Sequence, residues 1–343
     1  MSNNSQEGDE FVAKIAVVGA GGQGSNLINR LYNSGLKSAT TIALNTDANH
    51  LRIVNADRKV LIGKNVTRGL GAGGFPEMGM KAAESSKSEI EDLISGYDLV
   101  FLAAGMGGGT GSGTLPVVAE IARAQGSTVV AFVTYPFSLE RSRKNKADWA
   151  LQQLGRHADT TVVIENDKVL SYAPNLQIEK AFELIDSIAS NAIRGITDTI
   201  MYPSLINLDL ADVRAVMRNA GTAVINLGSG NGHDKVEKAV RSTLQHPLMN
   251  VNIEGGKSAL VHVSGSHSLS IEEATTVGEG VTAGLNDNAN VIFGARLDES
   301  LGDEIKVMSI VTGVTPNLGA GASPASSKSA STDRNFLEGM EGL

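Results

Sequence analysis

Cysteine is absent from this 343-residue chain, which removes disulfides, thiolate metal sites and a cysteine nucleophile. Long apolar runs are missing too. No stretch approaches the roughly 20 apolar residues that a membrane-spanning helix needs. Residues 1–10 are polar and acidic rather than signal-like, so a cytoplasmic protein is expected. Positive charge is in deficit: 29 Lys and Arg against 37 Asp and Glu leave a net charge of -8. That balance argues against nucleic acid as the main partner. With no basic amphipathic helix either, direct membrane attachment is not expected. No internal repeat is visible.

Glycine, by contrast, is abundant: 39 residues, well above the roughly 7% norm. Much of the excess sits in loops ahead of helices. The densest run extends from Ala104 to Pro116, where a strand exit becomes a six-glycine loop, Gly105 to Gly113, and then a helix. Without Cβ atoms such a backbone wraps closely around an anion, and its N–H groups together with the following helix N-terminus present positive ends to phosphate oxygens.

The periodicity predicts strands at 11–18, 41–44, 59–62, 99–103, 128–134 and 161–164, alternating with helices that include 76–95 and 115–124. This alternation implies an α/β fold with a doubly wound parallel sheet over 11–177, whose ligand sits beyond the carboxyl ends of the strands. A helix-period segment over 178–202 acts as a connector, stopped by Tyr202-Pro203-Ser204. A smaller α/β domain follows over 203–315, with helices expected at 210–219 and 235–244 and strands at 222–227, 259–264, 290–297 and 304–312. Residues 316–343 are too poor in apolar surface to fold alone, and 1–10 read as a flexible leader.

Gly19, Gly21 and Gly24 fit Gly-x-Gly-x-x-Gly after a strand, with Asp47 at the end of the second strand. That is the dinucleotide fingerprint, and it keeps a nicotinamide enzyme open as one reading; a turn serving only helix packing is another. Two more glycine loops, 71–74 and 105–113, fall at the same sheet edge and suggest a triphosphate. A Walker loop does not fit, because neither loop ends in Gly-Lys-Ser/Thr.

Taken together the motifs resemble those of the tubulin/FtsZ GTPase family, in its prokaryotic branch, from Lys14 to about Gly313. The signature Gly-Gly-Gly-Thr-Gly-Ser/Thr-Gly stands here as Gly107 to Gly113. In family order come Gly22-Gln23-Gly24-Ser25-Asn26, Asn45-Thr46-Asp47, Ala72-Gly73-Gly74, Pro136-Phe137 before Glu140, Asn166-Asp167, and Asn207-Leu208-Asp209-Leu210-Ala211-Asp212-Val213. The resemblance implies that Gly22, Gln23, Gly24, Ser25 and Asn26 line the phosphates and guanine side. It also places Gly107, Gly108, Gly109, Thr110, Gly111 and Ser112 around the α- and β-phosphates. Ala72, Gly73 and Gly74 would sense the γ-phosphate, Glu140 would meet the ribose, and Asn166, Phe182 and Asp186 would surround the base. Asn45 and Asp47 complete the expected nucleotide set, and Asp186 would select guanine by accepting its N–H donors. Lys144 stands where the family usually has arginine, which changes a planar fork into a point charge. Leu210 replaces a common phenylalanine, Thr114-Leu115 replaces paired alanines, and the tail lacks the family's apolar-basic terminal peptide.

For catalysis, the resemblance implies Asp209 and Asp212, with Asn207, polarising a water. Lying past a helix on the order of 36 Å long, the two carboxylates cannot reach their own chain's phosphate and must serve the next subunit. A head-to-tail contact of this kind does not close, and so generates filaments. The expected protein is therefore a GTP-binding, Mg²⁺-assisted, polymerisation-dependent GTPase of cell division. Its main partner is itself, and adaptor proteins would dock on the tail. A GTP-binding structural filament protein with weak hydrolysis is the alternative. Helix capping is the plainer reading of an Asp-x-x-Asp pair. The plain readings are kept for His262 and His267 (surface or packing), for the basic run Arg141 to Lys146 (a solvated face) and for Trp149 (core or interface).

Overall fold

The computed structural model describes residues 13–314, except 173, 174, 176, 203, 207, 219, 246–252 and 254. In chain order its elements begin with β1 (Ile15–Ala20), α1 (Gly21–Asn33), β2 (Thr40–Asn45), α2 (Ala48–Ile53), β3 (Arg58–Leu61) and α3 (Lys64–Thr67). Next come α4 (Pro76–Ser85), α5 (Lys87–Ile94), β4 (Leu99–Gly105), α6 (Thr110–Ala124), β5 (Thr128–Tyr135), α7 (Arg141–Leu154), β6 (Thr160–Glu165) and α8 (Asn166–Tyr172). The long α9 (Ile178–Met201) leads to α10 (Leu210–Met217), β7 (Gly221–Gly230), α11 (Lys235–Leu244), β8 (Ser258–Gly265), α12 (Ile271–Thr282), β9 (Asn290–Leu297) and β10 (Ile305–Thr312).

The ten strands of the described residues share one sheet in the order β3-β2-β1-β4-β5-β6-β7-β10-β8-β9. The first six are parallel throughout, and their order reverses between β1 and β4. A doubly wound sheet opens its ligand crevice at such a reversal. The later strands join this sheet through a three-residue parallel pairing of β6 with β7, and β10 then runs antiparallel to both β7 and β8.

Strand alternation divides the core. Val17, Phe101 and Phe132 point to a face covered by α1 and α9, through Ile28, Leu31, Ile185, Ile188 and Ile193. Val18, Leu102 and Val133 point to the other face, covered by α5, α6 and α7 through Ile90, Ile94, Leu115, Val118 and Leu154. The first cluster continues into Ile225, Leu260 and Ile310, so α9 packs on both the early and the late strands.

Several expectations need correction. The helix expected over 76–95 is two helices. Ser86 breaks it, because its Oγ accepts the Gly63 N–H at 2.9 Å while Ser85 bonds back to the Ala82 carbonyl. The helix expected from 115 starts at Thr110, inside the glycine run. The first strand opens at Ile15 rather than 11, of which residues 11 and 12 lie outside the described residues. Helices α2, α3, α8 and α12 were not expected.

Candidate functional site

Glycines at the carboxyl edge of the sheet serve two purposes. Gly24 and Gly113 are required by packing: a Cβ there would stand 2.3 Å from the Ala103 carbonyl oxygen and 2.0 Å from that of Pro76. Gly111 is likewise buried against Ala104, so only Met106 to Gly109 form loop proper, with Gly107 at φ +89°. By contrast, a Cβ on Gly22 meets no atom within 4 Å, and one on Gly108 meets only the Gly105 oxygen at 3.9 Å. None of the described residues fills the space beside these two glycines.

Two helices begin at this edge with bare N-termini. Neither α1 nor α6 has a side-chain cap or an acidic residue in its first turn. Their starts touch, since a Cβ on Gly21 would lie 2.9 Å from the Gly111 nitrogen. Each terminus carries roughly half a positive charge, so two dipoles converge on one spot with donors to spare. The loop is braced internally: Ser112 Oγ accepts the Gly107 N–H at 2.9 Å, and the Thr46 and Thr110 hydroxyls pair at 2.6 Å. Ser112 is fully buried and acts within the loop.

Around this spot the structure gathers most of the expected residues. Gly22, Gln23, Ser25 and exposed Asn26 follow β1. Asn45 and Asp47 follow β2, where Asp47 caps α2 by accepting from the Asn49 and His50 N–H groups. Buried Asn45 donates to Ser25 Oγ at 3.4 Å. Ala72, Gly73 and Gly74 lie against the loop after β4, for a Cβ on Gly109 would meet Ala72 Cβ at 2.9 Å and the Gly74 nitrogen at 3.1 Å. Gly73 and Gly74 both have positive φ.

The end expected at the base is polar, buried and incompletely bonded. Asn166 Oδ1 and Gln23 Nε2 are buried side-chain atoms without a hydrogen-bond partner among the described residues. Gln23 is oriented from behind by Thr134 Oγ1, which donates to its Oε1 at 2.8 Å. Its Nε2 lies near Asp186 without completing a hydrogen bond. Burial pushes the Asp186 carboxyl up to about 7, against the opposing pull of the Arg30 charge and the Gln23 amide. A buried polar atom left unpaired costs about 1–3 kcal/mol; Asn166 Oδ1 lacks a donor and Gln23 Nε2 an acceptor, so this end fits a ligand that offers both. Phe182 stands 37% exposed, edge-on to Phe137 at 5.8 Å.

Two expected contacts are already engaged. Glu140 Oε2 pairs with Arg143 Nη1 at 2.6 Å, and its Oε1 accepts the Phe137 N–H. Lys144 Nζ donates to Ser138 Oγ at 2.9 Å and lies 5.8 Å from the centroid of the Tyr135 ring. The basic run is also more than a solvated face. Lys146 Nζ donates to the Gly74 carbonyl at 2.6 Å and sits over the Phe75 ring, while the Arg143 backbone abuts Gly107. Lys146, Arg30 and Thr134 were missed: their partners lie far off in sequence, and no local motif marks them.

The aspartates are elsewhere. Helix α9 carries Asp186 in its third turn and runs alongside α1; Arg194 reaches the Ser34 carbonyl at the far end of α1, and Asp198 accepts from Ser38. The chain then enters α10, which docks on the amino ends of the parallel strands. Arg214 bonds Asp98, just before β4, and the Met217 carbonyl accepts from Thr160 at the start of β6. Asp209 and Asp212 therefore sit across the sheet from the glycine loops. They form a capping box: Asp209 Oδ1 accepts the Asp212 N–H at 2.9 Å, and Asp212 Oδ2 accepts that of Asp209 at 3.0 Å. The capping reading is thus realised, and one oxygen of each carboxylate carries no hydrogen bond among the described residues. Asn207 lies outside them.

His262 is a packing residue on β8, 5% exposed and held near 4 by burial and the Arg296 charge, with an unpartnered Nε2; His267 is exposed beside Glu299. Among the described residues no helix is long and apolar enough to cross a membrane, and no cluster of three or more acids and histidines is arranged to hold a metal ion.

Comparison with known proteins agrees with this geometry. The model of the Tubulin/FtsZ family GTPase domain matches residues 14–174, and that of the FtsZ family C-terminal domain matches 221–315. Cell division protein FtsZ 2 of Methanocaldococcus jannaschii is 51% identical over 315 residues, covering 90% of this chain and 83% of that protein. Cell division protein FtsZ 2 of Haloferax volcanii is 44% identical, covering 96% and 82%. A solved empty FtsZ dimer from M. jannaschii superposes with a TM-score of 0.85 at 44% identity, covering 89% of both chains.

Proposed function

The chain belongs to the tubulin/FtsZ family of GTPases, and from that premise we propose that it works as a cell-division filament protein whose active site is assembled from the two opposite edges of its sheet. The carboxyl edge holds GTP. Gly107 to Thr110 and the bare starts of α1 and α6 receive the phosphates, and Ala72 to Gly74 approach the γ-phosphate. Asp186, Asn166 and Gln23 read the base. Gly22, Gly108 and the two orphaned amide atoms fit a guanine nucleotide, because each leaves room or a bonding need that the chain does not meet. Adenine lacks the N1–H and 2-amino pair that Asp186 would accept.

Mg²⁺ would arrive with the nucleotide, bound mainly by phosphates and water as is usual for this ion, since no acidic cluster is arranged to hold it among the described residues. There it would neutralise charge developing on the phosphates. The amino edge supplies Asp209 and Asp212, which orient and polarise the attacking water of the neighbouring subunit's nucleotide. The observation that carries this reading is the docking of α10 at the starts of β4 and β6, across the sheet from the loop that follows β4. Strand β4 spans about 23 Å, too far for one subunit to bridge alone. Head-to-tail stacking then gives an open filament, in the cytoplasm, with division or membrane-adaptor proteins recruited through residues 316–343.

The test is nucleotide extraction from purified protein followed by assay of the Asp212→Ala variant. The expected result is guanine nucleotide retained by both proteins, with phosphate release lost only in the variant. Bound NAD, or unaltered release by Asp212→Ala, contradicts the reading.

A further inference from the structure

We propose that Arg214 and Asp98 form a positioning pair that sets the roll of α10 and so aims Asp209 and Asp212 at the phosphates of a neighbouring copy. The proposal rests on the reading above, in which those aspartates act on the next subunit's nucleotide.

Helix α10 has only eight residues, so its direction must be imposed from outside. Val213, Val216 and Met217 bury its underside, but apolar contact is non-directional and tolerates rolling. Two polar tethers restrict it. At the carboxyl end of the helix the Met217 carbonyl accepts from Thr160 Oγ1 at 2.5 Å. Nearer the aspartates, Arg214 Nη2 donates to the Asp98 carbonyl at 3.2 Å and to its Oδ1 at 3.3 Å. Asp98 is itself fixed: its Oδ2 accepts the Lys14 N–H at 3.0 Å, and its own N–H donates to the Lys14 carbonyl at 2.8 Å. Both anchors stand at the amino ends of interior strands of the sheet.

The helical geometry makes the pair consequential. Arg214 follows Asp212 by two positions, about 200° around the axis, so holding the guanidinium against the sheet edge turns Asp212 outward. A helix with side chains is about 10–12 Å across, so a carboxylate rides about 5–6 Å from the axis and a roll of about 10° moves it about 1 Å. A displacement of that size is enough to cost on the order of 100-fold in rate. The capping box fixes each carboxylate to the helix, and Arg214 fixes the helix to the sheet.

The test uses the full chain with GTP and Mg²⁺, measuring turnover at full assembly, nucleotide affinity and the assembly threshold. Arg214→Met should lower turnover about tenfold while affinity and threshold stay within about twofold. Arg214→Lys keeps charge and a donor, and should stay within about threefold of wild type. Asp98→Asn should fall between them. Ser270→Ala, which breaks the capping box of α12, is the stability control and should lower the melting temperature without changing turnover. If Arg214→Met does not fold, Arg214→Lys and Asp98→Asn carry the test. Wild-type turnover in Arg214→Met, or in Asp98→Asn where Arg214→Met does not fold, overturns the positioning pair, and so does an equal loss of turnover in the Ser270→Ala control. Asp212→Ala run in parallel separates the two ideas. Full turnover in that variant brings down the shared site and this proposal with it; an inactive Asp212→Ala beside a wild-type-like Arg214→Met brings down the pair alone.

Discussion

The two edges of the sheet differ in how far they satisfy themselves. Among the described residues, two helices at the carboxyl edge start without caps, two buried amide atoms lack partners and two glycines face space that no side chain fills. At the amino edge α10 is complete: capped by its own aspartates and tethered twice to strand starts. An edge with unmet bonding needs is shaped for a ligand, whereas a self-satisfied edge bearing two acids is shaped to be presented to something else. On the proposed reading, one chain carries two unlike halves of a site, and neither half is adjacent to the other.

The largest expected effect removes the presented half. Asp212→Ala should depress turnover by at least about 100-fold, with GTP affinity within about twofold when read by equilibrium binding. A matching loss of affinity would mean that the two edges are not separate. Next come paired glycine variants of the receiving edge. Gly24→Ala forces a Cβ onto a carbonyl oxygen and should destabilise by about 1–3 kcal/mol. Gly22→Ala meets no protein atom, so the unliganded protein should melt no lower than wild type while GTP affinity falls on the order of tenfold. Melting curves with and without GTP distinguish the two, and equal affinity in Gly22→Ala would show that the open space is not the nucleotide's.

The third effect is proton-linked. Asp186 is an acid whose folded value is raised to about 7, so between about 4 and 7 the unliganded chain binds more protons folded than unfolded. Its contribution to stability therefore falls as pH rises through that window. Guanine needs the ionised form, so GTP affinity should drop as pH falls below about 7, by up to about tenfold per unit, and Asp186→Asn should flatten that slope. A pH-independent affinity in the wild type would remove Asp186 from the base. The smallest effect concerns Lys146, whose bond to the Gly74 carbonyl holds the loop expected at the γ-phosphate. Lys146→Met should weaken discrimination of GTP over GDP by about fivefold, equivalent to about 1 kcal/mol.

The receiving edge was legible in the sequence because its needs are local: a glycine run directly after a strand lets the backbone close on a ligand, and these runs fall where a doubly wound sheet places one. Even so, Gly111 and Gly113 belong to helix packing rather than to the loop, a distinction set by α4 and Ala104 and invisible in one dimension. Helix α12 had a readable start in Ser270 and Glu273, but its glycines and β-branched residues masked the period. Thr134 behind Gln23, Lys146 on Gly74 and Arg214 on Asp98 are tertiary pairs separated by 72 to 116 positions, and no spacing rule reports them. The Asp-x-x-Asp pair was legible as a cap, which the fold shows; its expected catalytic role came from the resemblance, and the fold puts the two carboxylates at the amino edge.

The central claim, a site shared between opposite edges of successive subunits, is tested most directly by phosphate release per subunit as protein concentration is raised with GTP and Mg²⁺, with sedimentation recorded alongside. The shared site predicts negligible release until filaments sediment, then a steep rise to a plateau. A rate per subunit that is already full in the unassembled protein and stays flat through assembly would contradict it.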